Sequence, residues 1–256
     1  MENVVYKNNP LAEVIMQFKF PTILSINSND PTDFQELIRE EYPLYNVVYE
    51  NEQEIKLNNN EEDNGFIPSV VNRAINKNYE FISEDGKYKI NLTSSFISIA
   101  TVDYTSWEEF NKKFENPIKS FISVYKPTFF NRIGLRYIDA ISKKQLGLEN
   151  EPWSELIKSP WIGALKHFGD DATKHLSMSS EIVIDSEGTT MILKEGLGRI
   201  GDLEEILFLV DTDFICERKI EIGDYNVVSN RLHSHSHFFI DEIITDKLKV
   251  AMKPEV

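Results

Sequence analysis

Residues 128–141, TFFNRIGLRYIDAI, form the most informative stretch of the sequence, because side chains alternate along it as they do in a β-strand. In an extended chain, successive side chains point to opposite faces of the sheet. One predicted face is apolar and carries Phe129, Ile133, Leu135, Tyr137 and Ile141. The opposite face carries Phe130, Arg132, Gly134, Arg136, Ile138 and Ala140. The stretch therefore predicts a strand with two arginines on a single face.

Arg132 and Arg136 would lie about 13 Å apart on such a strand, at about 3.3 Å per residue, with Gly134 between them. This arrangement is unusual in a chain whose formal net charge is -15. One interpretation is a structural pair held by carboxylates, because an unpaired buried charge is costly. The other is an anion site for phosphate, carboxylate or an RNA backbone, where Gly134 would allow close approach. The sequence leaves both interpretations open.

The overall composition predicts a globular protein that does not bind nucleic acid broadly. The chain has 256 residues, of which 41% are hydrophobic, and it can form one large domain or two modest ones. Disorder is excluded despite 27% charged residues, because disorder also requires low hydrophobicity. A net charge of -15 with a pI near 4.8 lacks the basic footprint of a nucleic-acid-binding protein. A local basic patch and a basic protein partner both stay compatible with this charge.

Compartment is indicated by what the sequence lacks. No apolar run approaches the roughly 18 to 20 residues of a membrane span, and the N-terminal residues lack the basic and apolar regions of a signal peptide. The one cysteine, Cys216, cannot form an internal disulfide and suits a reducing compartment. These features predict a cytoplasmic protein without a membrane segment.

Several further elements follow from periodicity. Residues 106–125 have an apolar stripe at helical spacing behind a capping box, and Pro117 inside the stripe is expected to kink or break the helix. The apolar run of residues 205–210 is interpreted as a buried strand, although its spacing would also suit a helix. Residues 224–252 are predicted to form one last helix.

Both halves of the sequence show several antiparallel strands followed by a long amphipathic helix. This order predicts an α+β fold, in which antiparallel sheets are covered by a few long amphipathic helices, rather than a βαβ repeat. Two sheet-plus-helix halves are expected. The first is residues 1–145, ending in strand 129–141, and the second is residues 146–256, ending in the long helix.

Asp211 and Asp213 stand at the end of the apolar run of residues 205–210, two positions apart. Two carboxylates on one strand face can hold Mg²⁺ or Mn²⁺. They can equally pair with Arg132 and Arg136, or be ordinary turn residues at the surface. All three interpretations stay open at the level of sequence.

Three alternating histidines, His233, His235 and His237, suggest a metal site. On a helix successive residues turn by about 100°, so His235 points away from the other two, whereas Asp241 continues their face at i, i+4, i+8. His233, His237 and Asp241 are a chemically reasonable zinc or iron set. Ser234 stands where a metalloprotease motif would have its general base, and the favoured interpretation is a solvated or interface face of the helix. No metal or other cofactor is therefore predicted.

Short segments along the chain resemble a sporadically distributed bacterial protein family of about 250 residues that has no assigned activity. The matching segments are Asn9–Val14, Arg132–Tyr137, Asp211–Asp213, Leu232–His233, Phe239 and Ile244–Thr245. The resemblance implies a bacterial cytoplasmic protein from a variable or defence-associated genomic region. It supplies no catalytic residue, and it groups Arg132, Arg136, Asp211, Asp213 and His233 as one candidate set.

The sequence contains no complete catalytic constellation, and this favours a non-enzymatic binding or interaction protein. Its binding residues, for an anion or a partner, would be Arg132, Arg136, Asp211, Asp213 and His233. A first alternative is a metal-dependent hydrolase or nuclease that holds a phosphate-containing substrate with the arginines. A second alternative is a protein that binds a small anionic ligand.

Overall fold

The computed structural model of the protein describes residues 5–60, 65–163, 178–186, 188–199, 205–236 and 239–255. Nine strands form one large sheet, and two short strands pair separately. The strands of the large sheet are β2 (Leu11–Lys19), β3 (Leu44–Asn60), β4 (Gly65–Ile82), β5 (Tyr88–Leu92), β6 (Phe96–Thr101), β7 (Phe130–Ile141), β8 (Met178–Ser186), β9 (Thr189–Gly198) and β10 (Leu207–Ile220). The separate pair is β1 (Val5–Tyr6) with β11 (Pro254–Glu255).

The described helices are mostly short, and the two longest are α3 and α7. In chain order they are α1 (Leu24–Ser28), α2 (Thr32–Ile38), α3 (Trp107–Tyr125), α4 (Lys143–Leu146), α5 (Trp153–Leu156), α6 (Ser159–Ile162), α7 (Tyr225–Ser236), α8 (Phe239–Ile243) and α9 (Asp246–Met252). The predicted α+β class is confirmed, with fewer long helices than expected. Within the described ranges, no helix has both the length and the apolar character needed to cross a membrane.

The strands form one continuous antiparallel sheet, in the order β3-β4-β5-β6-β2-β7-β10-β9-β8. The expectation of a separate sheet in each half is therefore wrong. Strand β7, which ends the first half, pairs with β2 on one side and with β10 of the second half on the other. An apolar strand with two free edges lowers its free energy by pairing on both, so it joins the two sets of strands. The division into domains 1–145 and 146–256 stays a prediction.

The predicted strand at residues 128–141 is confirmed as β7, and its faces alternate as expected over most of its length. Ile133, Leu135 and Ile141 are fully buried. Phe130 is the exception, because it was placed on the arginine face yet lies in the core against Phe18, with ring centroids 5.3 Å apart. The strand pairing shifts next to Phe130, between Glu217 and Ile220 of β10, and this irregularity changes which face the end of the strand presents.

The buried apolar side chains of the described helices all lie on one side of the sheet, which we call the covered face. They form two clusters there. The larger cluster packs α3 and α7 against β2, β6 and β7, around Phe18, Phe114 and Leu135. The smaller cluster packs α5 and α9 against β9 and β10, around Trp153 and Phe208. The opposite side, on which no described helix packs, is called the open face.

Helix α3 begins as predicted, because Ser106 accepts a hydrogen bond from the backbone N–H of Glu109 at 3.2 Å. The helix then runs from Trp107 to Tyr125 with Pro117 buried inside it, so of the predicted kink or break the break does not occur. Phe114 and Phe121 on either side of Pro117 are buried in the larger cluster, and this packing holds the two parts together.

The predicted single helix over residues 224–252 is wrong. The helical structure is interrupted at Ile244 and Thr245, between α8 and α9. Helix α8 ends where the backbone turns to the segment after α5, since Lys158 N–H donates to the carbonyl of Ile243 and Thr245 N–H donates to that of Leu156. Thr245 then caps α9 by accepting from Leu248 N–H at 3.4 Å. Hydrogen bonds to a distant segment have therefore replaced the continuation of the helix.

Strand β10 is longer than the apolar run that predicted it. Residues 205–210 were expected to be a strand that Asp211 and Asp213 end, but β10 extends to Ile220. The strand interpretation is therefore correct and the predicted end is wrong. The two aspartates lie in mid-strand, beside β7, where their side chains can reach the arginines.

Candidate functional site

The candidate site is a group of charged and polar side chains on the open face of the three central strands. Strand β7 contributes Arg132 and Arg136, β10 contributes Asp211 and Asp213, and β2 contributes Gln17. The register places Arg136 directly between Ile15 of β2 and Asp213 of β10. Because side chains alternate along each strand, all five polar residues project from the same side. We call these five residues the paired-charge cluster.

Arg132 makes two hydrogen bonds to different strands. Its Nη1 donates to Gln17 Oε1 at 2.8 Å, and its Nη2 donates to Asp213 Oδ2 at 2.8 Å. Only 15% of the Arg132 side chain is exposed. The guanidinium therefore links β2, β7 and β10 across the open face as a charge-assisted contact.

Gly134 explains how Arg132 reaches Asp213, which lies opposite Arg136 rather than opposite Arg132. A Cβ at position 134 would meet Arg132 Nη1 at 2.9 Å and Nη2 at 3.1 Å. The Arg132 guanidinium thus lies over the glycine. The close approach at Gly134 is made by a side chain of the same strand.

Arg136 is held by one carboxylate. Its Nε donates to Asp211 Oδ1 at 2.7 Å and its Nη2 donates to Asp211 Oδ2 at 2.6 Å. This is the two-bond geometry that suits a planar guanidinium, and the hydrogen bonds raise the pKa of Arg136. The side chain is 43% exposed, so Arg136 is the more accessible of the two arginines.

The cluster contains two arginines and two aspartates, so its formal charges cancel. Burial raises the pKa of Asp213 even though Arg132 and Arg136 both act to lower it. Desolvation is therefore the largest influence on that carboxylate, and the arginines compensate only part of it. The interpretation of a structural pair held by carboxylates is the one that this geometry matches.

His233 does not join the other four residues of the predicted set. It is buried on the covered face, in α7, where its ring stacks on Trp107 with centroids 4.4 Å apart. Its Nδ1 lies 3.0 Å from the Tyr137 hydroxyl. Tyr137 and Arg136 are neighbours in β7 and point to opposite faces, so the sheet separates His233 from the paired-charge cluster.

The proposed metal ligands divide between described and undescribed residues. His237 and the side chain of Asp241 lie outside the described residues, so the set that they form with His233 is not tested. Within the part of the chain that the structure describes, no three His, Cys, Asp or Glu side chains are grouped as metal ligands. Asp211 and Asp213 are instead hydrogen-bonded to arginines.

Sequence reasoning did not identify Gln17, Trp107, Tyr137 or Asp139 as site residues. The sequence did indicate Gln17, because it is a polar residue between the apolar residues Met16 and Phe18 of an alternating strand and must point to the other face. A signal existed for Asp139 too, since it interrupts the apolar face of β7; burial there raises its pKa to about 7. The contacts of Trp107 and Tyr137 with His233 join residues about 100 positions apart or more, and no local pattern predicts them.

The paired-charge cluster holds its charged groups in contact with one another. Both arginines donate to carboxylates, and both carboxylates accept from guanidinium groups, so neither carboxylate is arranged as a general base. Charges that are fixed on central strands can be matched by opposite charges on the surface of another protein.

A scan against models of known protein families finds no match to this chain, and a search of curated proteins finds none either. Membership of the bacterial family suggested by Asn9–Val14 and Arg132–Tyr137 therefore stays a prediction.

Proposed function

We propose that the protein is a non-enzymatic binding protein that contacts a partner protein through the open face of its sheet. The observation that carries this proposal is the paired-charge cluster, in which two arginines are held in place by carboxylates on the central strands. The neighbouring open-face residues Ile15, Ile138 and Ile192 are partly exposed. Protein interfaces commonly combine arginines with apolar side chains in this way.

A protein partner is favoured over a small anion by the state of the two guanidinium groups. Arg136 already uses two donors on Asp211, and Arg132 already donates to Gln17 and Asp213. An anion would have to displace a carboxylate from one of the arginines. It would also bind where the formal charges already cancel, so it would gain no net electrostatic attraction from the cluster. A protein surface can instead add hydrogen bonds to the exposed edges of these pairs without breaking them.

Preorganisation also supports the proposal. Arg132 and Asp213 are mostly buried, and their hydrogen bonds fix both side chains before any partner arrives. Side chains that are already ordered lose little conformational entropy on binding. The cluster is formally neutral, but the whole chain has a net charge of -15, which favours a partner whose overall charge is positive.

The setting of this function is proposed from the sequence. The buried free thiol of Cys216 suits a reducing cytoplasm. The resemblance to a sporadically distributed bacterial family leads us to propose that the partner is encoded in a variable or defence-associated genomic region.

Site-specific photo-crosslinking tests the proposal. A benzophenone amino acid at Ile138, on the open face beside Asp211, is compared with the same group at Val227, which is 70% exposed on α7. In lysate of the source organism, position 138 is expected to give a discrete crosslinked protein that position 227 does not give. Arg136→Glu should abolish that adduct by placing like charges together, and the reversed pair Arg136→Glu with Asp211→Arg should restore part of it.

Two outcomes contradict the proposal. Identical adducts from positions 138 and 227, or an adduct that persists in Arg136→Glu, would show that the open face is not the binding surface. Turnover of phosphodiester or phosphomonoester substrates with added Zn²⁺, Mn²⁺ or Mg²⁺ would support the hydrolase alternative instead.

A further inference from the structure

Strand β8 is an edge of the nine-stranded sheet, and its side chains are exposed along nearly its whole length. It pairs with β9 on one side, and no described strand pairs with its other side. Its central residues Ile182, Val183 and Ile184 are 40%, 59% and 46% exposed. An edge of this kind presents backbone N–H and C=O groups that can pair with an additional strand.

Three common protections of an edge strand, namely lysine, proline and a β-bulge, are missing from β8. Its sequence, MSSEIVIDS, contains neither lysine nor proline, and its pairing with β9 runs from Met178 to Ser186 without a bulge. The opposite edge strand, β3, is also partly exposed at its described side chains, since Leu44, Val48 and Tyr49 are 50%, 40% and 56% exposed. There Tyr45 packs against Tyr79 and Phe81, with ring centroids 6.4 Å and 5.5 Å apart. An exposed apolar run between two acidic residues, Glu181 and Asp185, makes β8 a candidate for a docking surface.

We propose that β8 binds an extended segment of a partner protein, which adds to the sheet as a further strand and carries basic residues on either side of an apolar centre. Glu181, Val183 and Asp185 point to the same side of β8 because they are two residues apart. In a segment paired with them, basic residues would face Glu181 and Asp185, and an apolar residue would face Val183. Opposite charges facing each other across two strands stabilise the pair.

A second copy of this chain fits the edge less well. If two β8 strands paired antiparallel so that all three apolar residues met, Val183 would face Val183. Glu181 would then face Asp185 at both ends of the pair, and like charges directly opposite each other are destabilising. A chain with a net charge of -15 adds to this repulsion. A basic segment avoids both costs.

The docking edge goes beyond the proposed function, because it is a different surface from the paired-charge cluster. Its nearest ion pair joins Lys194 Nζ to Glu181 Oε2 at 3.0 Å, and both side chains are more than half exposed. An exposed pair of this kind contributes little to stability, so a basic residue of the partner can share or replace Lys194 at small cost.

Two synthetic peptides test the edge. Both have a Val-Ile-Val centre within Gly/Ser ends, and the centre is flanked by lysines in one and by glutamates in the other. Fluorescence anisotropy should show the lysine peptide binding about tenfold more tightly than the glutamate peptide. The difference should shrink between about 0.05 M and about 0.3 M salt. Hydrogen exchange should show added protection of the β8 amides in the lysine complex.

Two sets of variants complete the test. Charge reversal with Glu181→Lys and Asp185→Lys should invert the preference toward the glutamate peptide, whereas Arg136→Glu should leave binding unchanged. No binding at about 1 mM peptide, equal binding of both peptides, or loss of binding in Arg136→Glu would overturn the proposal. A peptide-free dimer with protected β8 amides would overturn it too, by assigning the edge to a second copy.

Discussion

The two faces of strand β7 keep polar groups by different physical means. On the open face, Arg132 and Arg136 stay charged because carboxylates and partial solvent access compensate their desolvation. On the covered face, Tyr137 and His233 are joined by a hydrogen bond between side chains, and burial raises the pKa of Asp139 to about 7. Two aspartates on neighbouring strands, Asp139 and Asp213, thus differ in how deeply they are buried and in whether an arginine lies beside them. Mutations can test this comparison from either face.

The largest expected effect is on the covered face. With a pKa of about 7 in the folded protein, against 3.8 ordinarily, Asp139 is protonated when folded and ionised when unfolded between about pH 4 and 7. Stability therefore falls as pH rises through that window and stays lowered above it. Asp139→Asn removes this penalty. The free energy of unfolding of the variant, relative to that of wild type, should therefore be roughly 2–3 kcal/mol higher at pH 8 than at pH 5. Urea denaturation at the two pH values measures the gain.

The control for this prediction is Asp33→Asn, on the exposed side of α2, which should show no such difference between pH 5 and pH 8. If Asp139→Asn has the same effect on the free energy of unfolding at both pH values, Asp139 is ionised in the folded protein, and the contrast with Asp213 disappears.

The next effect is on the open face. Arg132→Met leaves the Asp213 carboxylate, only 23% exposed, without its guanidinium partner. We expect a loss of about 2–3 kcal/mol of unfolding free energy at pH 7, since breaking one side of a largely buried pair costs more than the pair contributes. The loss should shrink at low pH, where Asp213 takes up a proton. Arg39→Met, which removes an exposed pair with Glu36, is the matched control and should be silent.

A smaller effect is expected at Arg136, because its side chain is 43% exposed and solvent screens its pair with Asp211. Arg136→Met should cost about 0.5–1 kcal/mol, and added salt should reduce the loss. Chemical denaturation of the two arginine variants side by side gives the comparison. A loss at Arg136 equal to that at Arg132 would show that exposure does not set the strength of these pairs.

The smallest effect concerns Gly134. In an Arg132→Met background, Gly134→Ala should stabilise the strand by about 0.5–1 kcal/mol, because alanine loses less backbone entropy on folding. In the wild-type background the added Cβ would lie 2.9 Å from Arg132 Nη1, so displacement of the guanidinium should offset the gain. A double-mutant cycle measures this coupling. Additive effects at positions 132 and 134 would mean that the guanidinium does not rest on the glycine.

The sequence predicted the α+β class, the central strand and the shared face of the two arginines, because each follows from local alternation. It also offered carboxylate pairing for Arg132 and Arg136 among its alternatives. Which aspartate each arginine contacts depends on the register between β7 and β10, and local periodicity does not contain that register. The interruption between α8 and α9 depends likewise on hydrogen bonds to residues 156–158.

The position of His233 shows a further limit. His233 was grouped with Arg132 and Arg136 because of the family resemblance. That resemblance rests on positions in the sequence and does not indicate on which face of the sheet a residue lies. The stacking of His233 on Trp107 depends on how α3 and α7 pack together, and that packing is set by the core.

The position of β2 in the middle of the sheet has a consequence for folding kinetics. Its two neighbours, β6 and β7, follow it by many residues, and Ile15 pairs with Arg136 about 120 positions later in the chain. Closing so long a loop before its contacts form is entropically costly, so we expect slow folding on the scale of small domains. During synthesis, β2 must wait unpaired until its partners have left the ribosome. Its apolar residues are then exposed on the nascent chain, where a chaperone can bind them.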